Sequence, residues 1–90
     1  MNTMTDLEFD ILDELYFVET FENLHKKLNL DKTLLKDSLK ELLNIGWIKC
    51  FSENREEIFT DLINFADFEQ KFDKYSYLAT KAGLTAHNTR

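Results

Sequence analysis

Proline is absent from this 90-residue chain, glycine occurs twice and cysteine once. Each scarcity excludes something. With Cys50 as the only cysteine no internal disulfide can form, and a reducing compartment is the simplest setting. Without proline, turns must be made by Asp, Asn, Ser, Thr and the two glycines. No uninterrupted apolar run approaches the roughly 20 residues that a membrane-spanning helix needs. No basic-plus-apolar N-terminal stretch resembles a signal peptide. The expectation is a soluble, cytoplasmic protein. Gly-rich phosphate loops, nucleophile motifs and Ser/His/Asp groupings are also missing, so no enzyme is expected. His25 and His87 are far apart and share no ligand spacing with Cys50, so neither a metal site nor a cofactor is expected.

What remains is ordinary globular material. Hydrophobic residues make up 43% and charged residues 31%, enough for one domain with one core spanning residues 1–90. Aromatics are plentiful: eight Phe, three Tyr and Trp47. The net charge is -6, which weighs against nucleic acid, but it is unevenly spread. Residues 1–19 hold six acids and no base. Residues 20–49 hold six lysines against four acids, and residues 53–74 seven acids against three bases. The positive charge is concentrated in the middle third, and that asymmetry says more about partners than the total does.

Periodicity divides the chain into short elements. In "DLEFDILDELYF", Leu7, Ile11, Leu12 and Leu15 recur at helical spacing, with Asp6 as the expected N-cap. "ETFENLHKKLNL" reads as a second helix capped by Thr20, with Phe21, Leu24 and Leu28 on one face and Asn29 turning the chain. Asp31 starts a third helix with a stripe of Leu34, Leu35, Leu39, Leu42 and Leu43. At 100° per residue the opposite face carries Thr33, Lys36, Asp37, Lys40 and Asn44. Gly46 suits the left-handed position past the helix end, and "WIKCF" reads as a strand. "SENREE" is a polar turn. A short return strand or loop near Ile58 and Phe59 and a short helix near 61–72 are expected next. "KYSYLAT" alternates as a strand, and Thr80 caps a final helix.

Two stretches carry a family resemblance. "FENLHKKLNLDKTLLKDSLKELLNIGWIKC" and "YLATKAGL" resemble the winged helix-turn-helix of bacterial transcriptional regulators, MarR-like and PadR-like in style. The resemblance implies an α+β, mostly helical fold, with a three-helix core and a β-hairpin wing. It implies that the third helix enters the major groove of double-stranded DNA. Thr33, Lys36, Asp37, Lys40 and Asn44 are then the candidate readers, Lys and Asn having donors for guanine and adenine edges. Thr33 would also hold a phosphate beside free backbone N–H groups. Lys26, Lys27 and Lys32 become phosphate contacts, and Arg55 a minor-groove contact from the wing.

The expected wing is acidic, with Glu53, Glu56 and Glu57 around Arg55, and it continues into an acidic, Phe-rich insertion at about 53–74. Phe65, Phe68 and Phe72 there suit packing against the domain or against a partner, the cheapest partner being a second copy. Most of Phe9, Phe17, Phe21, Phe51 and Phe59 are expected in the core, as is Trp47. Cys50 is expected as a buried strand residue, and His25 on the exposed part of helix two. Two functions follow. One is a small, dimeric DNA-binding transcriptional regulator. The other is a winged-helix protein-interaction module that leaves DNA untouched.

Overall fold

The computed structural model describes residues 3–59 and 65–90. Among them are five α-helices and a four-stranded antiparallel sheet, in the order α1 (Asp6–Glu14), β1 (Glu19–Thr20), α2 (Phe21–Leu28), α3 (Lys32–Asn44), β2 (Ile48–Phe51), β3 (Glu57–Ile58), α4 (Phe65–Lys71), a 3-10 turn (Phe72–Lys74), β4 (Ser76–Ala79) and α5 (Lys81–Asn88). The fold is α+β, as expected.

The helix ends show why these segments start and stop where they do. Thr5, not Asp6, caps α1: its hydroxyl accepts the Glu8 N–H at 3.1 Å while the Glu8 carboxylate accepts the Thr5 N–H at 2.9 Å. This reciprocal box satisfies two N–H groups that an Asp6 cap would leave for water. Thr20 caps α2 through the Asn23 N–H, and Asn29 closes it with φ 52°, a conformation asparagine tolerates. Asp31 caps α3 by accepting from the Thr33 and Leu34 N–H groups at 3.0 and 3.2 Å. At the far end of α3 the Trp47 N–H reaches the Leu42 carbonyl at 3.0 Å and the Gly46 N–H reaches Leu43 at 3.2 Å. That pair of bonds is the Schellman arrangement. It holds Gly46 at φ 79°, where the backbone angle rather than any neighbouring atom demands glycine.

The strands run in the order β1-β4-β2-β3, all neighbours antiparallel. Glu19, Tyr77, Cys50 and Ile58 stand in one row across the sheet, and Thr20, Ser76, Phe51 and Glu57 in the next. Alternation sends Ile48, Cys50, Tyr77 and Ala79 inward, where all four are buried. They meet Ile11, Leu12 and Leu15 of α1, Phe21 and Leu24 of α2, Leu35, Leu39, Leu42 and Leu43 of α3, and Phe68 of α4 in one cluster. Tyr77, the largest fully buried side chain, donates its hydroxyl to the Phe72 carbonyl at 2.8 Å. Burial raises its ionisation far above the tyrosine range.

Three aromatic expectations need correction. Phe17 and Phe59 are exposed rather than in the core, at 80% and 56%. Phe17 sits in the loop between α1 and β1, beyond the reach of either helix face. Trp47 is only half-buried, packed against the edge of the core. Leu34, counted in the α3 stripe, is also exposed. The strand β1 was not expected at all. The helix expected near 61–72 is α4 for its described part, while 60–64 and the Phe65 side chain lie outside the described residues.

Candidate functional site

The outward face of α3 is where the family resemblance puts its readers, and a second element lies over it. Lys36 and Lys40 both reach the carboxylate of Glu69 on α4, at 2.6 and 3.2 Å. Lys32 pairs with Asp73 of the 3-10 turn at 3.4 Å. Between these pairs the Phe72 ring lies under the ammonium groups of Lys32 and Lys36, 5.6 and 5.8 Å from them. Cations favour that position over a ring face. The ring's edge meets Phe21 of α2, with centroids 4.9 Å apart. The segment 65–74 thus straps α3 to α2.

What holds the strap down is apolar. Phe68, the residue before Glu69, is fully buried in the core. Its ring approaches Phe72 and Tyr75 at 6.1 and 6.3 Å. Of the two roles expected for the Phe-rich insertion, packing against its own domain is the one Phe68 and Phe72 take. Phe68 cannot be a partner contact, because it has no exposed surface. Phe72 is half-buried between α2 and the lysines.

The strap sets the electrostatics of α3. The hydrogen bond from Lys36 holds the Glu69 carboxyl below its ordinary 4.5, with Lys40 adding to the effect. The same bond raises Lys36 above its ordinary 10.5. A depressed carboxyl stabilises the folded state above its ordinary value and loses that contribution as pH falls through the folded value. A raised ammonium does so below its ordinary value and loses it as pH rises through the folded one. The clamp is therefore complete between the two ordinary values, about pH 4.5 to 10.5, and opens only as pH falls through the lowered Glu69 value or rises through the raised Lys36 value. In a carbon-13 titration Glu69 should show a midpoint below 4.5, and Lys36→Met should move it upward.

The other expected DNA contacts are scattered. Thr33 is exposed, but its N–H already donates to Asp31, so the free N–H groups expected to bind phosphate beside it are occupied by the cap. Lys26 pairs with Glu22 at 3.2 Å, and Lys27 with Glu19 at 2.6 Å and Glu14 at 3.7 Å. Lys36 also approaches Asp37 at 3.7 Å. Asn44 is exposed at the end of α3. Arg55 stands apart, in the turn between β2 and β3, at φ 64°. Ser52 fixes that turn: its hydroxyl accepts the Asn54 and Glu56 N–H groups and its carbonyl accepts the Arg55 N–H. No carboxylate among the described residues pairs with the Arg55 guanidinium.

A cleft of about 430 Å³ opens on the outer face of the sheet, lined by Val18, Thr20, Asn23, Phe51, Arg55 and Ser76. Comparison with family models, with curated proteins and with solved structures finds no match. The function must therefore be argued from these groups alone.

Sequence reasoning missed a further cluster where α5 meets α1. The buried His87 ring stacks on Phe9 with centroids 4.1 Å apart. Its Nδ1 lies 2.9 Å from the Tyr16 hydroxyl, which donates to Asn88 at 2.7 Å, and its Nε2 lies 3.4 Å from an Asp13 oxygen. Arg90 reaches back over the Phe9 ring to Asp6. These contacts join α1 to α5. His25 is partly covered by Phe21, with ring centroids 6.1 Å apart, rather than simply exposed. Cys50 behaves as expected: it is fully buried, and burial pushes its thiol up to about 11. That is the wrong direction for a reactive thiolate. No group of three or more His, Cys, Asp or Glu among the described residues is arranged to hold a metal ion. No helix among them is long and apolar enough to cross a membrane.

Proposed function

We propose that this chain is a winged-helix domain that binds protein and does not present its third helix to DNA. The winged-helix part is supported by chain order. A helix, a short strand, two helices joined by a few residues, and a strand pair follow one another, with the last strand seated between the first and second. Apart from β1, that order agrees with what the sequence resemblance implies. The β2–β3 turn takes the part of the wing, and α4 with the 3-10 turn is an insertion in it.

The choice of protein over DNA is carried by one observation: Glu69 bridges Lys36 and Lys40 on a helix anchored by the buried Phe68. A phosphate approaching α3 must displace a carboxylate from both lysines and then lie against α4. Two further features point the same way. The turn corresponding to the wing carries Glu53 and Glu56 beside Arg55, and the net charge is -6. Exposed ion pairs are individually weak, so occupancy of the face matters here more than their energy.

Duplex DNA binding tests the reading directly. Fluorescence anisotropy with a randomised duplex pool at low salt should show no salt-dependent binding. A helix-turn-helix using Lys32, Lys36, Lys40 and one more cation on phosphates would give a log–log salt slope near about -3.6. Observing such a slope, abolished by Lys36→Glu with Lys40→Glu, would restore the DNA-binding regulator and sink this proposal.

A further inference from the structure

Among the described residues, an exposed apolar run lies beside an edge strand of the sheet. Tyr16, Phe17 and Val18 are consecutive, and all three are exposed, at 41%, 80% and 53%. Single exposed apolar residues are common, whereas a contiguous group marks an interface. They lead directly into β1, an edge strand of the sheet. Edge strands are ordinarily guarded by charge or proline. Here the Glu19 carboxylate is turned onto Lys27 at 2.6 Å, and the only other residue of the strand is the neutral Thr20.

Next to this projection is a recess. Val18 forms one wall of the 430 Å³ cleft, and Phe51 with Arg55 lies across the sheet from it. The space accommodates a benzyl group. A projecting residue and a matching recess on one patch are what an isologous two-fold contact requires, because each copy must offer both. Charge narrows the choice of occupant. Two copies of a chain of net charge -6 repel through α1 and through Glu53 and Glu56. Around β1, by contrast, Glu19 and Glu22 are balanced by Lys27 and Lys26. Arg55, the one charged residue lining the cleft, has no carboxylate among the described residues. An acidic neighbour entering over β1 supplies one.

We propose that the partner is a second copy of this chain, paired about a two-fold axis beside β1, each Phe17 seated in the other copy's cleft between Val18 and Phe51. The inference rests on the protein-binding reading and names its partner. It replaces Phe68 and Phe72 with Phe17 and Val18 as the contact residues.

Sedimentation equilibrium of the full chain, from micromolar to millimolar concentration, tests it. The wild type should self-associate as a dimer. Phe17→Asp should raise the dissociation constant by about 30-fold or more, the size of an aromatic hot spot. Its circular dichroism and thermal midpoint as a monomer should match those of the wild type, since Phe17 is exposed. Arg55→Glu should weaken the dimer as well. A wild type that stays monomeric at millimolar concentration overturns the proposal, and so does a Phe17→Asp variant that dimerises as well as the wild type. The duplex assay keeps the two claims separate. A monomer that ignores DNA overturns the pairing alone, and a Phe17-dependent dimer that binds DNA supports the pairing and overturns only the protein-binding reading.

Discussion

Phe68→Ala should destabilise the fold by about 3–5 kcal/mol, the cost of truncating a fully buried phenylalanine. In a domain of this size each kcal/mol is worth about 4–8 °C in thermal midpoint, so the loss is easily measured by calorimetry or urea titration. The reason is specific. Phe68 has no exposed surface and, among the described side chains of α4, is the one fully buried in the core. The ion pairs from Glu69 to Lys36 and Lys40 are partly exposed and are too weak to hold α4 in its place. With Phe68 truncated, the Glu69 carboxyl should titrate closer to its ordinary 4.5. Phe68→Leu, which keeps most of the volume, should cost about 1.5 kcal/mol or less. If Phe68→Ala lost less than Phe68→Leu is expected to lose, α4 would be an appendage rather than part of the core, and the face of α3 would be open to partners.

The second large effect is at Gly83. A Cβ there would lie 2.0 Å from the Trp47 carbonyl oxygen and 2.9 Å from its carbon. No rotamer change relieves this, because both atoms are backbone. The contact exists because the N-terminus of α5 docks on the corner after α3. The Thr80 hydroxyl donates to the Gly46 carbonyl at 2.7 Å while accepting the Gly83 N–H at 3.1 Å, and the Thr80 N–H donates to the Trp47 carbonyl at 2.9 Å. Gly83→Ala should therefore exceed the about 1–3 kcal/mol typical of overpacking. The usual gain from replacing a helical glycine should be absent. An unchanged or raised thermal midpoint would contradict this docking of α5. Thr80→Val should cost less, since it leaves the chain in place and removes only hydroxyl bonds.

Much of this fold is legible in the sequence, and the reasons are local. Thr20, Asp31 and Thr80 cap helices because their side chains reach N–H groups two or three residues on. Gly46 ends α3 because a left-handed angle suits glycine. Leu35, Leu39, Leu42, Leu43 and Cys50 are buried because periodicity assigns each to an inner face. The α1 cap was legible too, since Thr5 is followed three residues later by Glu8, the capping-box pattern.

What escaped depends on distant partners. β1 is two residues long and exists through its pairing with Tyr77 and Ser76, which no local pattern announces. His87 is buried by Phe9 and Tyr16 from the other end of the chain. The lysines of α3 were correctly placed on one outer face, but their occupants Glu69 and Asp73 come from about 30 to 40 residues away. Counting charge along the chain placed those acids in an excursion without saying where it returns. Phe17 was assigned to the core because aromatics usually belong there. Its position in the loop after the acidic α1 was the available sign that it stands outside.

The position of β4 in the sheet bears on how the chain acquires its structure. It is the last in chain order of the described strands, yet it lies between β1 and β2 and pairs with both. Until residues 76–79 arrive, β1 has no neighbour and the inner edge of β2 is bare. Tyr77, the largest buried side chain, arrives with them. The early helices of a nascent chain thus have no sheet to close on, and assembly should come as one late, cooperative event. A free chain ending before Ser76 would have an open strand edge and an unfilled core, the state in which a small acidic domain most needs its own charge to stay apart from its neighbours.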